Sequence, residues 1–111
     1  MDIKKFLLEI KELSARFGLP ILYLDFTDVT LIARIGNSVD VFIQIYLNTE
    51  KNKLNMALII KGERIYGVNG QKNDYHKHPL ENPALHLAIE NTSIEEFFFD
   101  SLEILKNLGL L

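Results

Sequence analysis

Two stretches in the middle of the chain repeat their apolar residues with a period of two, and this pattern constrains the fold most. Residues 39–47 carry valine, isoleucine or leucine at every odd position, and residues 54–60 carry an apolar residue at every even position. Successive side chains of a strand point to opposite faces, so this alternation is typical of half-buried strands. Together with segments 21–26, 29–35 and 64–69, it predicts an antiparallel meander of four to five strands.

The last two of these strands form a predicted hairpin. Gly62 and Glu63 fit a two-residue turn with glycine first. A tight turn there pairs residue 60 with 65, 58 with 67 and 56 with 69. Asn69 then ends an apolar row on the core face. Gly67 lies beside Leu58, where a simple packing role is favoured over a close backbone approach or a bulge. Lys61 and Arg64 lie on the opposite face, while the core side carries Met56, Leu58, Ile60 and Ile65.

The N-terminal segment predicts an amphipathic helix. Asp2 can cap its first turn, Gly18 can adopt the left-handed conformation after its last turn, and Pro20 prevents continuation. Its charges are mixed in sign, which favours a helix packed on the core over one bound to a membrane surface. The apolar residues at helical spacing are Ile3, Phe6, Leu7, Ile10, Leu13 and Phe17.

The C-terminal segment predicts a second helix. Ser93 and Glu96 have the spacing of a capping box, and Gly109 ends the pattern. Phe99 and Ile104 widen the apolar stripe, which favours contact with a second subunit. We therefore predict a single α+β domain over residues 1–111, with an N-terminal helix, the meander, a histidine-bearing loop and a C-terminal helix packed on the sheet.

Composition excludes several classes of protein. The chain has 111 residues and no cysteine, so disulfide frameworks, zinc–thiolate sites and thiol nucleophiles are excluded. No apolar run is long enough to span a bilayer, and the N-terminus lacks a signal-peptide pattern. We therefore expect a soluble, cytoplasmic protein with no membrane partner.

Charge is unevenly distributed along the chain. Residues 51–78 contain six bases and two acids, a balance of +4, whereas residues 79–111 contain one base and six acids, a balance of −5. The basic part favours an anion-binding face. Lysines that protect sheet edges from pairing are an equally good explanation.

The candidate site lies where the basic part ends. Asp74, His76 and His78 occupy alternate positions, so an extended backbone directs them to one side. One histidine can act as general base and another as general acid, because the unperturbed pKa of histidine lies near neutrality. We predict these three residues as catalytic for metal-independent RNA cleavage. The predicted substrate-binding residues are Arg64, Asn69, Lys72, Lys77 and His86.

Two other interpretations of the histidines stay open. His76, His78 and either Asp74 or His86 form an acceptable ligand set for zinc or iron. Alternatively, His76 and His78 are exposed loop residues without a function, and His86 is a partly buried residue whose hydrogen bonds are satisfied. The favoured prediction includes no metal, and no cofactor is expected because Gly-rich phosphate loops, nucleophile elbows and Walker sequences are missing.

The second half of the chain resembles the TumE-like family, which also runs from a strand hairpin through a Gly-Lys-Gly-Asp-His-x-His-like segment to a C-terminal helix. The matching positions are Gly70, Lys72, Asp74, His76 and His78, with Asn73 in place of a glycine and Tyr75 inserted before His76. The family's members are regarded as toxins of toxin–antitoxin pairs, with a helix-turn-helix partner. The resemblance implies such a partner and leaves the reaction open.

The resulting prediction is a toxin-like protein that acts on RNA through a histidine cluster, as a homodimer with an antitoxin partner. The alternative is a non-enzymatic homodimeric interaction module. The broad apolar stripe of the last helix and apolar residues on both sheet faces favour this alternative.

Overall fold

The computed structural model describes residues 2–71, 74–78, 87–89 and 93–110, with residues 71, 74–78 and 87–89 described as strand backbone. A seven-stranded antiparallel sheet, in which every strand pairs with its neighbours in sequence, lies beneath two helices. The elements in chain order are α1 (Ile3–Phe17), β1 (Ile21–Phe26), β2 (Thr30–Ser38), β3 (Val41–Asn48), β4 (Lys53–Ile60), β5 (Glu63–Gln71), β6 (Asp74–His78), β7 (Leu87–Ile89) and α2 (Ile94–Asn107). The predicted α+β fold, with a helix at each end of an antiparallel meander, is confirmed.

Both helices begin where their capping residues predict. The Asp2 carboxylate accepts a hydrogen bond from the Lys4 amide at 2.9 Å, and the Ser93 hydroxyl accepts one from the Glu96 amide at 3.0 Å. Each cap satisfies an amide that the first helical turn leaves without an intrahelical acceptor. Gly18 adopts a φ of 67°, the left-handed conformation that ends α1.

The hydrophobic core lies between the helices and one face of the sheet. Phe97 and Phe98 of α2 are almost fully buried, as are Ile10 and Leu13 of α1. The two helices also meet each other, with the rings of Phe17 and Phe98 6.2 Å apart between centroids. The sheet contributes Leu31, Ala33, Ile35, Ile43, Ile45, Leu47, Leu54, Met56, Leu58, Tyr66 and Val68 to this core. The alternation predicted from the sequence therefore identifies the buried face of β3 and β4.

The predicted register of the β4–β5 hairpin is wrong. The turn residues are Lys61 and Gly62, with φ of 52° and 80°, and residue 60 pairs with 63. Two positive φ values match a type I′ turn, whose twist suits a two-residue hairpin. The register then shifts between Leu58 and Ile59, so that Leu58 pairs with Tyr66.

This shift moves Asn69 off the core face. Ile65 is the extra residue at the irregularity, and beyond it the even-numbered residues of β5 face the core. Asn69 pairs with Asn55, and Gly67 pairs with Ala57 instead of Leu58. The predicted core contacts of Met56, Leu58, Ile60 and Ile65 are nevertheless found, the first two fully and the last two partly buried.

The segment predicted as a long histidine-bearing connection contains two further strands. Residues 74–78 form β6, which pairs with β5, and residues 87–89 form β7, which pairs with β6. The meander is therefore longer than predicted. Neither of the two helices in the described residues is long and apolar enough to cross a membrane.

Candidate nucleic-acid interface

We call the side of β1–β6 that faces away from α1 and α2 the open face. Its residues alternate with those of the core, and in the described part of the chain both helices lie on the other side. Most of its central side chains are partly exposed. From β1 to β5 it carries Tyr23, Asp25, Ile32, Arg34, Phe42, Gln44, Tyr46, Asn48, Lys53, Asn55, Ala57, Ile59, Arg64, Gly67 and Asn69.

An arginine and two aromatic rings form an ordered cluster at one end of the open face. The guanidinium carbon of Arg34 lies 5.6 Å from the ring centroid of Tyr23 and 5.4 Å from that of Phe42. Its Nε donates a hydrogen bond to Oε1 of Gln44 at 3.1 Å. These contacts span three adjacent strands, and cation–π attraction contributes about 0.5–1 kcal/mol at an exposed site of this kind. The guanidinium is thereby held in a defined position on the surface.

The open face is rich in amides and basic groups. Among the described side chains it carries Arg34, Lys53 and Arg64 against a single acid, Asp25. Asn48 is nearly buried, and its amide nitrogen donates to the Tyr46 hydroxyl at 3.5 Å while its carbonyl oxygen accepts from the Lys51 amide at 3.0 Å. Such a surface attracts anions and offers donors and acceptors to polar ligands.

The Arg64 side chain lies over a glycine of its own strand. A β-carbon added at Gly67 would lie 3.1 Å from Cδ of Arg64 and 3.1 Å from the carbonyl oxygen of Met56. The missing side chain at Gly67 therefore leaves space for the aliphatic part of Arg64 to lie across β5. Gly67 pairs with Ala57 of β4 on one side and with His78 of β6 on the other, so the aliphatic part of Arg64 lies over the residue next to the His78 backbone.

Strand pairing places the predicted catalytic residues next to this surface. Asp74, His76 and His78 pair with Gln71, Asn69 and Gly67, respectively. Asn69 in turn pairs with Asn55, which continues the row that contains His76. Two residues of a strand that are two positions apart have Cα atoms separated by about 6.8 Å, which sets the spacing of His76 and His78.

The other predicted substrate-binding residues are distributed differently. Lys77 pairs with Val68, a residue of the core row, and thus alternates with the histidine positions. Lys72 and His86 lie outside the described residues. In the described part of the chain, no group of three or more histidine or acidic side chains is arranged to hold a metal ion.

Sequence reasoning missed the cluster around Arg34. A signal was present, because Arg34 is a lone base in an otherwise apolar strand sequence, Leu31-Ile32-Ala33-Arg34-Ile35. Aromatic residues at alternate strand positions can stack on bases but more often belong to a core or an interface; in the structure Tyr23 is 47% exposed and Phe42 is partly exposed.

The relationship to the TumE-like family stays a prediction. A scan against protein-family models and searches of curated proteins and solved structures found no match to this chain.

Proposed function

We propose that this chain is a toxin-like protein that acts on RNA, with His76 and His78 as the reactive groups. The observation that carries the proposal is the position of Arg64, whose side chain lies over Gly67, the residue paired with His78. A guanidinium can hold a phosphate through paired hydrogen bonds and keeps its charge at any physiological pH. Arg64 thus supplies the phosphate contact that cleavage next to a histidine pair requires.

The proposed chemistry needs no metal. One histidine accepts the proton of the 2′-hydroxyl, and the 2′-oxygen attacks the adjacent phosphorus. The other histidine donates a proton to the departing 5′-oxygen, so the products are a 2′,3′-cyclic phosphate and a 5′-hydroxyl. Two imidazoles on alternate residues of one strand can flank a single phosphodiester. In this scheme Asp74 orients a histidine or stabilises its protonated form.

The open face favours a single strand as substrate. Tyr23, Phe42 and the guanidinium of Arg34 offer planar surfaces on which unpaired bases can stack. The amides of Gln44 and Asn55 lie between this cluster and Asn69, beside the histidine strand. The surplus of bases over acids on this face complements a phosphate backbone. A strand lying across the sheet would therefore contact the Arg34 cluster and the histidines together.

RNA cleavage by purified protein tests the proposal. We expect a single-stranded RNA to be cut into products with 2′,3′-cyclic phosphate ends in the presence of EDTA. The His76→Ala/His78→Ala double variant should lose this activity, and Arg64→Ala should reduce it at least tenfold. Arg16→Ala is the matched control, because Arg16 lies on α1 and pairs with Glu95 at 3.0 Å. Cleavage that persists in the double variant would contradict the assignment.

A growth assay tests the biological part of the proposal. Expression of the chain should arrest growth, and the histidine double variant should not. The resemblance implies that a helix-turn-helix partner relieves this arrest when it is produced together with the chain. Normal growth under expression of folded wild-type protein would count against a toxin.

A non-enzymatic homodimeric module is the second candidate. It is favoured by large apolar side chains that the described surface exposes on β1 and α2, among them Phe26 at 50% and Phe99 at 57%. A stable dimer that neither binds nor cleaves RNA would favour this candidate over the first.

A further inference from the structure

β1 forms one edge of the sheet and pairs on one side only, with β2. Along its outer side, none of the described residues supplies a backbone partner to residues 21–26. Alternate amides and carbonyls of this strand therefore point away from the sheet. The strand is also apolar, with exposed fractions of 39% for Leu22, 47% for Tyr23 and 50% for Phe26.

Natural sheets usually protect such an edge. Lysine, proline or a central bulge blocks the addition of a further strand, because unpaired backbone groups otherwise act as a template. β1 contains neither lysine nor proline, and its register irregularity lies at its start, between Ile21 and Tyr23. Residues 23–26 pair regularly with β2, so the outer edge of this segment has no bulge. Asp25 is its only charged residue.

We propose that β1 pairs antiparallel with β1 of a second copy of this chain, joining the two sheets into one. Two copies related by a twofold axis perpendicular to the sheet meet in this way, each contributing the same strand. Side chains that face each other must then lie on the same face of the sheet. This requirement restricts the pairing to registers centred on a residue.

Charge selects among these registers. A pairing centred on Asp25 places two aspartates directly opposite each other, which is destabilising. A pairing centred on Tyr23 extends through the irregular stretch to Ile21, whereas in one centred on Leu24 the three central pairs use only residues 23–25, which pair regularly with β2. In a pairing centred on Leu24, Leu24 lies opposite Leu24 of the other copy. On each side of this central pair, Tyr23 of one copy lies opposite Asp25 of the other. The tyrosine hydroxyl can then donate to the carboxylate, so the one charged residue of the edge acquires a partner.

This inference rests on the dimeric candidate and assigns its interface to β1 rather than to α2, and it does not depend on RNA cleavage. The twofold axis leaves the open faces of both copies on the same side, so the Arg34 clusters of the two chains become neighbours across β1. If the RNA proposal also holds, one strand of RNA could contact both copies. If it fails, the dimer stands, because sedimentation and cleavage measure different properties.

Two matched substitutions test whether the outer edge of β1 forms the dimer interface. We expect wild-type protein to sediment as a dimer at micromolar concentration and the Phe26→Lys variant to sediment as a monomer with an unchanged circular dichroism spectrum. Phe99→Lys makes the same change at a similarly exposed position on α2 and should leave the dimer intact. A monomeric wild type, a dimeric Phe26→Lys variant or dissociation by Phe99→Lys would each overturn the proposal.

Cysteine crosslinking tests the register, since the chain has no cysteine of its own. In the pairing centred on Leu24, the two copies of a Leu24→Cys variant have Cα atoms about 4.5–5.5 Å apart, within reach of a disulfide. The two copies of an Asp25→Cys variant are offset by two residues and lie more than about 7 Å apart. Mild oxidation should therefore crosslink the first variant and not the second. Crosslinking of the second alone, or of neither, would overturn the register.

Discussion

The hydroxyl of Tyr66 donates a hydrogen bond to Oδ2 of Asp100 at 3.1 Å, and this contact links β5 to α2. The Tyr66 ring also stacks on Phe97, with centroids 5.2 Å apart and planes inclined by 8°. A buried polar group needs such a partner, because an unsatisfied hydroxyl in an apolar environment is costly. The pair lets a polar aromatic residue occupy the core row of β5.

We expect Tyr66→Phe to lower the free energy of unfolding by about 1 kcal/mol at neutral pH, since it removes the hydrogen bond and keeps the stacked ring. Urea unfolding followed by circular dichroism measures this difference. Asp100→Ala supplies the control, because Tyr66→Phe should have little further effect once its acceptor is gone. Equal stability of wild type and Tyr66→Phe would show that the bond contributes nothing.

Because of Tyr66, we also expect the protein to lose stability at alkaline pH. Burial, followed by the charge and hydrogen bond of Asp100, raises the pKa of Tyr66 far above its usual value of 10.0. The folded protein therefore holds this proton more tightly than the unfolded chain, and the stabilisation declines once pH exceeds about 10. Tyr66→Phe should make the decline shallower. An identical alkaline profile for both proteins would contradict this.

Glu9 is predicted to destabilise the fold at neutral pH. Its pKa is raised, first by burial and then by the negative charges of Glu95 and Glu12. Because the folded state favours the protonated carboxyl, the contribution of Glu9 to stability falls as pH rises through its usual value of 4.5. Glu9→Gln should add about 0.5 kcal/mol at neutral pH and nothing in strong acid. Thermal unfolding at the two pH values, with Glu103→Gln as control, measures the effect.

Ser101 is fully buried on α2, and its hydroxyl has no hydrogen-bond partner among the described residues. Removing an unsatisfied hydroxyl recovers part of its desolvation cost, and alanine also favours the helix. We expect Ser101→Ala to raise the free energy of unfolding by about 1 kcal/mol. Ser14→Ala should do the opposite, because the Ser14 hydroxyl donates to the Leu19 carbonyl. Denaturant titration compares the two, and destabilisation by Ser101→Ala would contradict the argument.

Two glycines of the sheet should respond differently to alanine. A β-carbon at Gly36 would overlap the Val41 carbonyl oxygen and lie 2.8 Å from the Phe42 Cα, both parts of the backbone. At Gly67 the contacts are longer, and one of them is with the flexible Arg64 side chain. We expect Gly67→Ala to cost about 1–2 kcal/mol and Gly36→Ala to cost more. Denaturant unfolding curves of both variants measure the two losses. A Gly67→Ala variant less stable than Gly36→Ala would contradict the expected order.

Local sequence signals predicted the parts of the fold that local physics determines. Asp2, Gly18 and Ser93 identify the helix ends because capping is a contact between residues a few positions apart. The alternation in residues 39–47 and 54–60 identified the core face of β3 and β4, because successive side chains of a strand point to opposite faces.

Register and surface position depend on contacts that the sequence does not display. Gly62 marks the turn in the sequence, but the extra residue at Ile65 and the packing of Tyr66 against Phe97 have no local signature. Asn69 was consequently assigned to the wrong face. The Arg34 cluster joins β1, β2 and β3, so it becomes visible only when the strands are paired.

The uninterrupted order of the strands has a consequence for synthesis on the ribosome. Each strand can pair with the one made just before it, so the sheet can grow hairpin by hairpin with short loops to close. α2, however, is made after all seven strands, and it covers Tyr66 through Phe97. Until it emerges, the apolar rows of β4 and β5 face water. The nascent chain is therefore most vulnerable to aggregation during the interval between completion of β5 and arrival of α2.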